Sequence, residues 1–256
     1  MKNLFSAIAM ALLAVACTAP AQVDLKVPAP EDVVIYQVNP RNFAPENSFN
    51  AVASHLDSIK TIYSIKHKNG EIRRVNINIA ATTVENYRKL HEAGIGTYQL
   101  FQETYNKPNY EMLHPKGPKS NYAYHTEAMD RAMEAGIDDV GLGVLFGLTL
   151  YRYDFVGLLM HGEHLEATWG VGPHTISVPR ICPADDVDPG TFSNAVPDEI
   201  FLKIVALIRI AVPYTGMIVS TRESPRVRAK CLEFGVSQIS GGSRTSVGGY
   251  VVEEEK

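Results

Sequence analysis

Gly136-Ile137-Asp138-Asp139-Val140-Gly141-Leu142-Gly143-Val144-Leu145-Phe146 is the stretch that decides the fold. Its first glycine stops a helix predicted near 122–135, and the apolar run Val140–Phe146 reads as a buried strand. The same unit recurs in both directions. Upstream, strands are predicted at Val33–Val38, Val75–Ile79 and Thr97–Phe101. A helix at 48–66 lies between the first two, and a Thr82/Glu85 capping box opens another that runs to Gly94. Downstream, strands at His174–Val178, Met217–Ser220 and Val236–Ile239 alternate with helices near 154–169, 198–212 and 225–234. Pro197 and Pro225 suit first helical turns, and Gly235 suits a stop. Repeated βα units with short apolar strands imply a parallel sheet covered by helices. Seven strands are predicted, one short of the eight in a closed barrel. The expected fold is α/β, an open or incomplete (β/α)8 TIM-type barrel of about seven strands, with a doubly wound sheet as the competing architecture.

The 256 residues, 45% hydrophobic and 20% charged, suffice for one sizeable core. A net charge of −4 without a basic run gives no reason to expect nucleic acid. Lys2, the apolar run Leu4–Val15 and Ala14-Val15-Ala16-Cys17 read as an export signal of the lipoprotein type, with Cys17 as the lipidated residue. Pro20, Pro28 and Pro30 make 18–31 an extended tether. The three cysteines, Cys17, Cys182 and Cys231, are far apart, so no zinc pattern, C-x-x-C pair or C-x-x-x-C-x-x-C cluster loop can be drawn. Cys182 and Cys231 read as packed thiols, with a disulfide between them left open.

Several segments carry a family resemblance in collinear order. They include Val75-Asn76-Ile77-Asn78-Ile79-Ala80-Ala81-Thr82-Thr83, Leu100-Phe101-Gln102-Glu103-Thr104-Tyr105 and Gly117-Pro118-Lys119. Gly172-Pro173-His174-Thr175-Ile176-Ser177-Val178-Pro179-Arg180, Val212-Pro213-Tyr214-Thr215-Gly216-Met217 and Gln238-Ile239-Ser240-Gly241-Gly242-Ser243 continue it. Over about residues 59–252 the chain resembles the radical S-adenosylmethionine tyrosine lyases of FeFe-hydrogenase maturation, the HydG family. The resemblance implies a barrel of the radical S-adenosylmethionine superfamily, with 61–252 supplying strands three to eight and 253–256 an acidic tail.

It also implies a 4Fe–4S cluster and S-adenosylmethionine as cofactors, and L-tyrosine as substrate. Cα–Cβ scission would give p-cresol and dehydroglycine, and then CO and cyanide for the hydrogenase, with other hydrogenase maturation proteins as partners. The cluster cysteines have no counterpart here, and the chain reaches Lys256 before the family's second cluster region. The expectation is a fragment of such a lyase that is not competent alone and holds no metal. By resemblance, Glu103, Tyr105, Gly141, Gly143 and Arg180 would face S-adenosylmethionine, and His174, Ser243 and Arg244 the substrate. For Glu103 a rim salt bridge, for the glycines tight packing, and for His174 a satisfied core position stand as alternatives.

Residues 32–60, which open with Asp32-Val33-Val34-Ile35-Tyr36-Gln37-Val38-Asn39-Pro40, resemble instead the first βα unit of family-13 α-amylases. The alternative to a lyase fragment is thus an exported α-amylase-like lipoprotein or a non-catalytic chimeric reading frame. The signal implies a membrane-anchored or exported chain, whereas the matching family implies the cytoplasm.

Overall fold

The computed structural model of the chain describes residues 75–183 and 187–241. The predicted signal with Cys17, the tether, the amylase-like unit with its strand and helix, and the loop holding Ser243 and Arg244 lie outside the described residues.

Five parallel strands form one sheet in sequential order: β1 (Tyr98–Gln99), β2 (Val140–Gly143), β3 (Thr175–Ser177), β4 (Gly216–Ser220) and β5 (Gln238–Ser240). The register runs Tyr98↔Val140, Gly141↔Thr175, Thr175↔Gly216 and Ile218↔Gln238. The sheet curls into a half-barrel, as expected of an incomplete (β/α)8 fold. The predicted strand Val75–Ile79 pairs only as an isolated parallel bridge, Ile77↔Tyr98. Around it, Gly96 N–H donates to the Val75 carbonyl and Gln99 N–H to that of Ile77.

The helices are α1 (Val84–Glu92), α2 (Lys107–Leu113), α3 (Tyr122–Thr126), α4 (Ala128–Glu134), α5 (Tyr151–Trp169), α6 (Asp198–Ala211) and α7 (Pro225–Glu233). The cap of α1 lies one residue later than predicted: the Thr83 hydroxyl accepts from the Asn86 amide N–H, while Thr82 accepts from the Asn86 side chain. The helix predicted near 122–135 is two helices joined at Glu127, which serves as C-cap to one and N-cap to the next. Helix α2, which periodicity did not reveal, is only seven residues long and is started by the Asn106 cap with Pro108 in its first turn. Gly136 and Gly235, at φ +99° and +93°, end their helices as predicted.

One face of β2, β3 and β4 drives the packing. Val140, Leu142, Ile176, Val178, Met217 and Val219 are all at most 2% exposed. They meet Leu158 and Leu165 of α5, Phe201, Ile204, Val205 and Ile208 of α6, and Val227 and Cys231 of α7 in a single core. Because side chains alternate along a strand, the intervening residues face the inside of the curl.

Candidate functional site

Those inward residues are Asn76, Asn78, Gln99, Ser177, Ile218, Ser220, Gln238 and Ser240, and they line a cleft of about 360 Å³. Its rim is built beyond the strand C-termini by Phe101, Pro179, Arg180, Cys182, Arg222 and Glu223. This is the end of a parallel α/β sheet where binding sites form, because loops there diverge while the strands stay fixed. A smaller recess of about 230 Å³ shares Asn78, Gln99 and Phe101 with the cleft and reaches Glu103 and Lys119.

Two glycines shape the floor. A Cβ on Gly141 would stand 2.7 Å from Gln99 Cγ and 2.5 Å from Thr175 Oγ1, and one on Gly143 2.6 Å from Phe101 Cδ1. Their missing side chains let Gln99 and Phe101 lie across β2 and reach the cleft, so the space above them is filled by protein. Gln99 is held there by a 3.2 Å hydrogen bond from its Nε2 to Thr175 Oγ1.

Arg180 anchors the opposite wall. Its Nε and Nη2 donate to the two carboxylate oxygens of Glu223 at 2.8 and 2.6 Å. Nη2 also donates to Asp198 at 2.7 Å, and Nη1 to the Val196 carbonyl at 2.8 Å. The guanidinium lies 4.5 Å from the Phe201 ring centroid. Burial alone would lower the Arg180 pKa, but the hydrogen bonds to Glu223 and Asp198 outweigh it and hold the group above its ordinary value. Arg180 therefore positions Glu223 and the wall. Arg222, half-buried beside it, donates to the Cys182 carbonyl at 3.2 Å. Burial, and then the Glu223 carboxylate, raise the Cys182 pKa, which keeps the thiol protonated.

The other sequence-predicted positions separate. Glu103 has φ +68°, the left-handed region rare for a residue with a side chain, and it pairs with Lys119 at the recess. Tyr105 is buried away from the cleft: its hydroxyl meets His161 Nδ1 at 2.9 Å, and its amide donates to Asp154 Oδ1 at 2.8 Å. His174 sits at the other end of the sheet, in a pocket of about 410 Å³ with Asp138, Glu166 and Tyr214. The structure thus brings Arg180, Glu103 and the residues packed over the two glycines to the C-terminal end of the sheet, and does not bring His174 or the Tyr105 ring there. Charged and aromatic motifs do not point to the inward serines, asparagines and glutamines. The signal that finds them is strict alternation, as in Asn76-Ile77-Asn78-Ile79 and Thr175-Ile176-Ser177-Val178.

No three His, Cys, Asp or Glu side chains among the described residues converge to hold a metal ion. Cys182 and Cys231 are separate buried thiols, the latter with its pKa pushed up to about 11 by burial. These residues do not fit a 4Fe–4S cluster, which takes cysteine thiolates.

The Biotin and Thiamin Synthesis associated domain matches residues 177–255. The 2-iminoacetate synthase of Escherichia coli (strain K12) is 30% identical over 166 residues, 64% of this chain and 43% of that protein. That of Salmonella typhimurium (strain LT2) is 29% identical over 198 residues, 77% of this chain and 49% of that protein. The crystal structure of HydG, a maturase of the FeFe-hydrogenase, superposes with TM-score 0.70 and 62% identity over 76% of this chain and 43% of that one. HydG from Carboxydothermus hydrogenoformans gives TM-score 0.68 and 44% identity over 82% and 48%. Methylornithine synthase, at 17% identity and TM-score 0.60, shares the fold. The chain spans about half the length of the curated relatives it matches. Strand order and these matches together make the chain a HydG-like radical S-adenosylmethionine protein, similar to those maturases over about three-quarters of its length.

Proposed function

We propose that this chain keeps the ligand cleft of a radical S-adenosylmethionine tyrosine lyase and does not by itself catalyse Cα–Cβ cleavage of L-tyrosine to p-cresol and dehydroglycine. The observation that carries this reading is the cysteine inventory: three in the whole chain, at 17, 182 and 231, with no spacing that could seat a cluster. In the family reaction that cluster supplies the electron that cleaves S-adenosylmethionine, and the products feed CO and cyanide to hydrogenase maturation.

The binding half of the function rests on the cleft. Its serines, amides and Arg222 offer donors and acceptors to a zwitterionic amino acid or a ribose, and Phe101 and Ile239 offer apolar surface to a ring. A few convergent polar groups in a concave site fix orientation more than they supply affinity. Processing at Cys17 would make this a lipid-anchored protein, whereas a cytoplasmic location is what the family resemblance leads one to expect. No helix among the described residues is long and apolar enough to cross a membrane.

Anaerobic reconstitution with iron and sulfide tests the catalytic half. The expected outcome is no stoichiometric 4Fe–4S absorbance and no p-cresol from L-tyrosine; a full cluster with p-cresol production would overturn the reading. Calorimetric titration with S-adenosylhomocysteine and with L-tyrosine tests the cleft, and the absence of heat from both would remove the binding half.

A further inference from the structure

Helix α5 is apolar on two opposite faces. Leu158 and Leu165 are fully buried against the sheet. On the far side, Tyr153, Val156 and Met160 are 52%, 52% and 62% exposed, with Leu150 at 53% just before the helix. At about 100° per residue, Tyr153, Val156 and Met160 fall within an arc of about 60°. An outer helix of a parallel α/β sheet ordinarily turns a polar face to water, and a helix apolar all round is one that is covered all round. Arg152 and Glu163 flank this stripe on the same side, about 20° apart in projection and about 16 Å apart along the axis. Both are exposed. Arg152 lies 5.3 Å from its neighbour's Tyr151 ring centroid, and among the described residues neither it nor Glu163 forms an ion pair.

We propose that this face is a homodimer interface in which α5 packs antiparallel on α5 of a second copy of the chain. A two-fold axis lying across the two helices reverses their direction yet returns each flank to the same flank. Arg152 then meets Glu163 of the second copy, and the second copy's Arg152 meets Glu163, so both charges are matched twice. The same operation sets Val156 of each copy against Met160 of the other, closing the apolar stripe. Parallel packing would put the two charged flanks on opposite sides of the seam and leave both pairs unmade, which disfavours it.

The inference is independent of the cleft, so its test needs no ligand. Sedimentation equilibrium of the full chain should show a reversible dimer that Met160→Glu converts to monomer. Arg152→Glu and Glu163→Arg should each weaken the dimer about tenfold, and the charge-swapped double variant should restore it. A monomer at every concentration would overturn the proposal. So would a dimer indifferent to Met160→Glu, as one formed through the open sheet edge would be, or a double variant no tighter than the singles. Loss of the helical circular dichroism in Met160→Glu would also count against it, since a face open to water tolerates the charge in the monomer.

Discussion

Asp154 and His161 show how burial sets chemistry one residue at a time. Both lie on α5, and among the described residues each keeps one buried polar atom without a hydrogen-bond partner, Asp154 Oδ2 and His161 Nε2. Burial raises the Asp154 carboxyl to about 6, against the pull of hydrogen bonds from the Tyr105 amide and the Thr104 hydroxyl. It lowers the His161 imidazole to about 4. The two act on stability with opposite signs. As pH falls through 6 towards 4, folded Asp154 takes up a proton that the unfolded carboxyl does not, and the fold gains. As pH falls from 6.5 towards 4, unfolded His161 takes up a proton that the folded ring refuses, and the fold loses. His125, also lowered by burial, acts in the His161 direction. A tenfold difference in proton affinity between folded and unfolded chain corresponds to about 1.4 kcal/mol. Asp154→Asn should therefore lose stability relative to wild type on acidification from about pH 6.5 to 4, and His161→Asn should gain, each by on the order of 2 kcal/mol. Urea midpoints at both pH values check it, and parallel shifts in both variants would contradict the assignment.

At the scale of elements, identical substitutions acquire different costs from their surroundings. Gly170 ends α5 at φ +78° with nothing within 4 Å of an added Cβ. Gly170→Ala should cost only the left-handed backbone penalty, about 1 kcal/mol, and leave the cleft untouched. Gly143 lies in β2 beneath Phe101, whose ring would stand 2.6 Å from the new methyl. Gly143→Ala should cost more, about 1–3 kcal/mol, through overpacking, and it should displace Phe101 from the cleft. Urea unfolding orders the two stabilities, and ligand titration should register only the strand variant. The glycine-x-glycine pair was visible in the sequence. The side chains that cross it were not, since Gln99 on the neighbouring β1 and Phe101 just beyond it lie about forty residues upstream.

For the molecule as a whole, Arg180 is the tie between distant segments. It joins the segment after β3 to Glu223 in the β4–α7 connection and to Asp198 at the start of α6. Arg180 is 9% and Glu223 4% exposed, so removing Arg180 leaves the Glu223 carboxylate buried without its cation, and removing Glu223 leaves the guanidinium with Asp198 alone. Arg180→Met or Glu223→Met alone should cost about 3–5 kcal/mol, and the double variant markedly less than their sum. Additive losses in chemical denaturation would show that the two act separately.

The sequence by itself determined the alternation of strands and helices, the parallel sheet, the helix-stopping glycines and the family. All of these rest on local periodicity, turn chemistry and collinear motifs. It also determined that cysteines in cluster spacing are missing, because a count of residues needs no geometry. Which helix is broken, and which threonine caps α1, depended on contacts beyond the local pattern, as the joint at Glu127 and the cap at Thr83 show. Only the tertiary structure decided the site. Curling the sheet placed Asn76, Gln99, Ser177, Ser220 and Gln238, each ordinary in its own segment, around one cleft. It turned Tyr105 into the packing of α5 and left His174 at the opposite end of the strands. Strand direction and side-chain facing are set by the pairing of residues far apart in the chain, and a linear sequence does not state them one residue at a time.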